Sequence, residues 1–210
     1  MLVHFAKNIC MERKMDFIKD SERIYRLRVP FMSVYTSVFL VVAQGKVILV
    51  DCATTESDVR DIIVPALMRL GYSLTDVSAI VLTHGHSDHA GGLDTLLSLA
   101  PEIKVIRSET SLCDGISTYA MAGHTADSIG LLDETQGVLI TGDGIQGAGI
   151  GKFRCMLETK EGYLGTLGRI RADGRIKTLL FSHEYEPWYK NRADGREQIE
   201  ACIDECLKYL

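Results

Sequence analysis

Residues 77–89 of the chain, Val77-Ser-Ala-Ile-Val-Leu-Thr-His-Gly-His-Ser-Asp-His89, join a short apolar run to a cluster of histidines. The apolar half, Val77 to Leu82, predicts a fully buried strand. Three of the six histidines in the chain lie within the six-residue segment His84–His89 that comes after it. Zinc, iron and manganese prefer imidazole and carboxylate ligands, whereas a solvated turn, the alternative interpretation, does not need three imidazoles. The stretch therefore predicts a metal site at the carboxyl end of a buried strand.

Other ligand-type side chains also lie at the ends of predicted elements. Asp51 and Asp143 each end an apolar strand, while His124 precedes a strand and His183 follows one. Each residue alone would be explained as an ordinary turn or surface residue. Together they repeat one arrangement, an apolar strand followed by a ligand-type side chain, and open sheets build their sites at such strand ends. The sequence therefore predicts that distant segments meet at one site, to which His4 does not belong.

These residues resemble the metallo-β-lactamase superfamily. Seven ligand-type positions match the order of the family, beginning with its His-x-His-x-Asp-His motif: His84, His86, Asp88, His89, His124, Asp143 and His183. The resemblance spans Val34 to Pro187. It implies the α/β class and a four-layer αβ/βα sandwich, in which two sheets pack face to face with helices outside. It also implies a dinuclear metal site at one edge of that sandwich.

The resemblance also implies a role for each position. It assigns the first metal to three imidazoles: His84, His86 and His124. It assigns the second metal to a mixed set: Asp88, His89 and His183. Asp143 would bridge both metals, and Asp51 would support a ligand from behind, since such partners fix ring orientation and ligand basicity. The implied cofactors are two divalent cations, with zinc expected first and iron or manganese as alternatives.

Within the family, the ligand set favours the thioesterase, lactonase and phosphodiesterase branches. True β-lactamases with this histidine-rich motif lack a bridging aspartate, the position of Asp143 here. We expect two metals to lower the pKa of a shared water, and the resulting hydroxide to cleave a small thioester or lactone as glyoxalase II does. Asp88 would orient that hydroxide or carry a proton. The short stretch after His183 does not favour the glutathione-binding extension of glyoxalase II, and a phosphodiester is the second hydrolytic alternative.

Two alternatives from other classes stay open. Persulfide dioxygenases are similar in sequence but bind one iron, through residues that match His84, His124 and Asp143. The other alternative is a metal-binding or regulatory protein without activity. Metal content and oxygen uptake separate the dioxygenase from the hydrolase, and a broad substrate panel tests the third alternative.

Several further signals have a functional and a structural interpretation. The glycine-rich stretch Gly142 to Lys152 lacks the phosphate-loop spacing, which favours a flexible loop beside Asp143. Tyr185 and Trp188 would line a substrate pocket or anchor the C-terminal helix. The basic residues after them are interpreted as a solvated face. Two cysteines four residues apart predict a core-facing position: Cys202 and Cys206.

The composition describes an ordinary globular chain. It has 210 residues, 46% hydrophobic and 24% charged, and a net charge of −5, which predicts one domain over residues 1–210. An acidic chain does not favour nucleic acid or an anionic membrane, and the longest apolar run, Val38 to Ala43, is too short for a span. Scattered cysteines and the lack of a signal peptide predict a cytoplasmic protein. The family resemblance implies a small-molecule substrate. The oligomeric state stays open.

Strands are predicted in hairpin pairs with helices between them. The predicted strands are Ser33–Val42 with Lys46–Val50, Val77–Leu82, Ile103–Ile106, Ser128–Leu132 with Val138–Thr141, and Thr178–Phe181. The first predicted helix begins at Ser57, is kinked at Pro65 and ends at Gly71. The later predicted helices are Ala90–Ala100, Gly162–Arg171 and Arg196–Leu210. This order favours a mixed α/β sandwich over a purely parallel sheet. The secondary-structure prediction is weakest for the first thirty residues.

Overall fold

The computed structural model describes residues 15–147, 157–185, 190–208 and 210. These residues form two mixed sheets of six strands each. The first sheet contains, in chain order, β1 (Ile18–Lys19), β2 (Ile24–Phe31), β3 (Val34–Ala43), β4 (Lys46–Val50), β5 (Val77–Val81) and β6 (Lys104–Ile106). The second contains β7 (Ser111–Cys113), β8 (Ile116–Ala120), β9 (Ile129–Asp133), β10 (Val138–Ile140), β11 (Thr178–Leu180) and β12 (Arg192–Asp194). Each sheet keeps the chain order of its strands, so neighbouring strands are consecutive.

Helices occur where consecutive strands run parallel. A π-helix (Asp58–Ile63), α1 (Val64–Leu70) and a 3-10 turn (Leu74–Asp76) connect β4 to β5, and α2 (Ser87–Ala90) and α3 (Leu93–Leu99) connect β5 to β6. In the second sheet, α4 (Lys160–Ala172) lies between β10 and β11, and α5 (Gly195–Leu207) follows β12. Parallel strands cannot be joined by a tight hairpin, so each parallel pair requires such a crossover.

Alternating side chains place the two sheets face to face. Leu40 pairs with Leu49 across β3 and β4, and both pack into the cluster that includes Leu67 of α1. Phe39, one residue away and on the opposite face, packs into a cluster with Leu131 of the second sheet. A third cluster joins the outer face of the second sheet to α4 and α5. The order is helix, sheet, sheet, helix, and the predicted αβ/βα sandwich is confirmed.

The predicted central elements agree with the structure to within three residues at their ends, and one predicted helix begins late. The β3–β4 and β9–β10 hairpins are confirmed, and the helix before β5 ends at Gly71, whose φ is 93°. The helix predicted from Ala90 begins instead at Leu93, because the chain bends at Gly91 and Gly92. A Cβ at Gly91 would lie 2.1 Å from the carbonyl oxygen of Thr54, so close packing against the preceding loop interrupts the helix.

Several strands were not predicted: β7, β8 and β12, together with β1 and β2 in the weakly predicted N-terminal stretch. Among the described helices, none combines the length and the apolar character needed to cross a bilayer.

Candidate metal centre

Elements from both sheets bring the predicted ligands to one edge of the sandwich. Asp51 follows β4, and the histidine-rich stretch follows β5. In the second sheet, His124 lies between β8 and β9, Asp143 follows β10 and His183 follows β11. Because the two sheets pack face to face, these strand ends meet. The structure thus brings together side chains that are far apart in sequence.

Three imidazoles form the first group: His84, His86 and His124. One ring nitrogen of each lies within 4.8 Å of the others. His86 Nδ1 is 3.0 Å from His84 Nε2 and 2.9 Å from His124 Nε2. Burial, with the neighbouring imidazole of His89, lowers the pKa of His84 to about 2. His84 therefore stays neutral, which is the form that ligates a metal.

A second group contains one carboxylate and two imidazoles: Asp88, His89 and His183. His183 Nε2 lies 3.2 Å from both Asp88 Oδ2 and His89 Nε2. All three residues are buried, so water screens their charges weakly. Their ligand atoms again fall within 4.8 Å of one another.

Asp143 faces both groups. Its Oδ1 lies 3.3 Å from His183 Nε2, and its Oδ2 lies 3.7 Å from His124 Nε2. Burial opposes ionisation, but the imidazoles of His183 and His89 outweigh it and hold the pKa of Asp143 well below its usual range. The buried Oδ1 has no hydrogen bond among the described residues. An ionised, buried and incompletely paired carboxylate between imidazoles is the environment that suits a divalent cation.

The same carboxylates attract positive charge to the imidazoles. Burial disfavours protonation of His89, yet Asp51 and Asp143 raise its pKa well above the usual value. Burial acts likewise on His183, and Asp143 raises its pKa to about 9. The carboxylates thus draw positive charge to this group, and a bound cation, which takes the neutral imidazole, would supply that charge in place of the protons.

Asp51 and Thr83 hold the ring of His89 in place. Asp51 Oδ2 lies 2.7 Å from His89 Nδ1, which directs Nε2 of that ring toward the site. Thr83 donates to both Asp51 oxygens, from its backbone N–H at 2.8 Å and from its hydroxyl at 2.9 Å. Asp51 itself has a positive φ of 62°. Asp51 lies behind the ring of His89, and its supporting role stays a prediction, whereas Thr83 was not predicted.

The start of β3 supports the second group. His183 Nδ1 donates to the carbonyl oxygen of Tyr35 at 2.9 Å, which leaves Nε2 facing the carboxylates. Thr36 donates to Asp88 Oδ2 at 3.4 Å, and Ser37 N–H donates to the carbonyl oxygen of Ser182. None of these partners was predicted. Tyr35 and Ser37 act through backbone atoms, and Thr36 has no distinctive spacing in the sequence.

A cavity of about 430 Å³ opens over both groups. Its base includes proposed ligands, and its wall includes Phe31, Leu157 and Tyr185. The Tyr185 ring centroid is 5.2 Å from that of His183. Burial and the carboxylates of Asp143 and Asp88 raise the pKa of Tyr185, so its phenol stays protonated. Trp188, the other predicted pocket residue, lies outside the described residues.

The remaining signals have structural explanations where the structure describes them. Cys202 and Cys206 are buried in the core cluster beneath α5, as predicted. Arg192 and Arg196 form ion pairs with Asp194 and Glu200, away from the cavity. Within the glycine-rich stretch, the cavity is lined by Asp143 and Gln146, and residues 148–152 lie outside the described ranges.

Comparison with protein families and curated proteins identifies proteins similar to this chain. The model of one family, the metallo-beta-lactamase superfamily, matches residues 33–112. YobT, an uncharacterized protein from Bacillus subtilis, is 30% identical over 202 residues, which cover 78% of this chain and 76% of that protein.

Curated hydrolases match shorter segments. Ribonuclease J from Mycobacterium tuberculosis is 36% identical over 72 residues, 32% of this chain and 13% of that protein. A hydroxyacylglutathione hydrolase from Chromohalobacter salexigens is 30% identical over 162 residues, 68% of this chain and 59% of that protein. An atrochrysone carboxyl ACP thioesterase from Pseudocercospora fijiensis is 29% identical over 146 residues, 59% of this chain and 43% of that protein. The chain thus spans less than two thirds of each of these hydrolases.

Solved structures share the fold. A metallo-beta-lactamase from Pontibacter korlensis has a TM-score of 0.71 at 16% identity, covering 92% of this chain and 99% of that chain. One from Erythrobacter litoralis has a TM-score of 0.67 at 23% identity, covering 93% and 97%.

Proposed function

Because this chain belongs to the metallo-beta-lactamase superfamily, we propose that it is a hydrolase that uses two divalent cations to cleave a small thioester or lactone. One observation carries the proposal. Two groups of ligand-type side chains, each within 4.8 Å, share a cavity and are joined by the carboxylate of Asp143.

The residues would hold the cations as two sets. The first set is His84, His86 and His124, and the second is Asp88, His89 and His183. Asp143 faces both sets and would contribute to each. We propose zinc as the metal, with iron or manganese as the alternatives that imidazole and carboxylate ligands also suit. When bound, such a pair supplies Lewis acidity that lowers the pKa of water and stabilises negative charge on a carbonyl oxygen.

Asp88 is the proposed catalytic residue. Burial opposes its ionisation, but the imidazoles of His183 and His89 lower its pKa, so Asp88 is an ionised carboxylate at neutral pH. Asp88 lines the cavity, and Thr36 fixes its orientation through a hydrogen bond to Oδ2. It would accept a proton from the attacking water and pass it to the departing sulfur or oxygen.

The relatives support thioesters over other substrates. Hydroxyacylglutathione hydrolase and the ACP thioesterase both match more than half of this chain. The ribonuclease J match is confined to 72 residues, so a phosphodiester is the second candidate. A mononuclear iron dioxygenase would use His84, His124 and Asp143 and leave unused the second set, which the structure gathers as one buried group.

Elemental analysis of protein purified without added metal tests the proposal. The same sample is then assayed on thioesters, lactones and phosphodiesters, beside a His86→Ala variant as the control. We expect close to two metal ions per chain and turnover of a thioester or lactone that the variant lacks. One iron per chain with oxygen uptake would contradict the hydrolase and indicate the dioxygenase. A metal-loaded protein inactive on the whole panel would overturn the proposal.

A further inference from the structure

We propose that the cavity selects substrates with an uncharged, apolar acyl group and discriminates against an acyl group that ends in a charge. This inference rests on the proposed hydrolase function and names its substrate class. It comes from the wall of the cavity rather than from the ligand groups at its base.

The wall is apolar on two sides. The turn between β2 and β3 contributes Phe31, Met32 and Val34, and the second half of the chain contributes Leu157 and Tyr163. The other described lining residues outside the ligand groups are neutral, with the polar side chains of Ser33, Ser87 and Gln146 and no lysine or arginine. The carboxylates that line the cavity, Asp88 and Asp143, belong to the ligand groups. A substrate with its reacting carbonyl at the ligand groups would therefore place its acyl chain against hydrocarbon.

Charges around the described wall do not favour an anionic chain. Arg28, three residues before Phe31, is paired with Glu184 at 2.6 Å, which neutralises it. Glu158 follows the wall residue Leu157, and it is exposed and acidic. An acyl chain ending in a carboxylate would lose its hydration without gaining a partner, and burying an unpaired charge is costly.

Exposure of the turn points the same way. Met32 is 93% exposed at the tip of the two-residue turn between Phe31 and Val34. Neighbouring apolar side chains left open to solvent beside a site mark a binding surface. An alkyl chain laid against them would bury the apolar area, and each buried methylene strengthens binding about fourfold.

Matched thioesters test the selectivity. S-hexanoyl- and S-adipoyl-N-acetylcysteamine have the same thiol leaving group and chain length and differ in a terminal carboxylate. We expect kcat/KM to be at least about tenfold higher for the hexanoyl compound, and Met32→Lys to reduce that ratio at least about fivefold. Met68→Lys, the same substitution at a 67% exposed residue of α1, should leave the ratio unchanged.

The outcomes separate this inference from the proposed function. Equal or faster cleavage of the adipoyl compound would overturn the selectivity while leaving the hydrolase in place, and so would an equal shift of the ratio in Met68→Lys. If neither compound is cleaved, calorimetry with zinc-loaded protein compares the uncleavable S-hexyl and S-(5-carboxypentyl) thioethers of the same thiol. Tighter binding of the S-hexyl compound by about tenfold supports the selectivity without the reaction, and equal binding refutes it.

Discussion

Asp143 is the residue on which the proposed two-metal arrangement depends, because its carboxylate faces both ligand groups. We expect Asp143→Ala to reduce the metal content from about two ions per chain to one or fewer and to lower turnover by orders of magnitude. Elemental analysis and a thioester assay measure the two effects. Asp127→Ala, which removes an exposed carboxylate from the loop that carries His124, is the control. Full activity with two metals bound to Asp143→Ala would refute the bridging role.

Substitution of Asp88 distinguishes a role in metal binding from a role in proton transfer. Asp88→Asn keeps an oxygen at the site but cannot accept a proton at neutral pH. We expect the variant to retain most of its metal and to lose about 10²–10⁴-fold in kcat. Parallel metal analysis and steady-state kinetics check this, and an unchanged kcat would remove Asp88 from the chemistry.

The Asp51→Asn variant tests whether the hydrogen bond between Asp51 and His89 contributes to metal affinity. Asp51→Asn preserves the shape, and asparagine tolerates the positive φ of 62° at this position. The variant loses the charge that holds His89 Nδ1 at 2.7 Å. We expect metal affinity to fall by roughly 10–100-fold, measured by competition with a chromogenic chelator. Unchanged affinity would mean that Asp51 serves the fold alone.

Residue chemistry decides which members of the site can be predicted from sequence. Histidine and aspartate at strand ends stand out by type and spacing, which makes them visible in the sequence. The structure brings these side chains together. Thr83 and Thr36 are common residues with no distinctive spacing. Tyr35 acts through its carbonyl oxygen, which every residue has. Such partners can be found only after folding places them within hydrogen-bond distance.

At the scale of the elements, runs of apolar and β-branched residues made β3, β4 and β5 predictable, and the lack of such runs hid other strands. Ser111–Cys113 and Arg192–Asp194 are three residues each and carry no apolar pattern. In β2, Arg26 is buried and donates to the carbonyl oxygens of Phe181 and Asn191, so a charged residue occupies a core position. These strands are specified by contacts with the rest of the molecule rather than by local sequence.

Two glycines test how backbone conformation limits the helices. A Cβ would meet nothing within 4 Å at either Gly71 or Gly165, so packing does not distinguish them. Gly71 ends α1 with φ 93°, whereas Gly165 lies inside α4. We expect Gly71→Ala to destabilise the protein by about 1 kcal/mol and Gly165→Ala to stabilise it by about 0.5–1 kcal/mol. Urea unfolding measures both, and equal effects would contradict the explanation.

At the scale of the whole molecule, the ligand groups join the two halves of the sandwich. The first half of the chain supplies the histidine-rich stretch after β5, and the second half supplies His124, Asp143 and His183. Bound cations would therefore connect the two sheets at one edge. Without them, buried carboxylates and imidazoles are compensated by one another alone.

Metal removal should consequently lower global stability. A cation that binds the folded chain and not the unfolded chain stabilises it by about 2.7 kcal/mol at a hundred times its Kd. For a chain of this size, that free energy corresponds to a rise in Tm of roughly 5–10 °C. Calorimetry of chelator-treated protein, with and without added zinc, measures the rise. Asp143→Ala is the control, because its incomplete ligand set should show a much smaller shift. If chelation and zinc leave the Tm of the unmodified protein unchanged while Asp143→Ala behaves identically, the side chains at this edge do not hold metal.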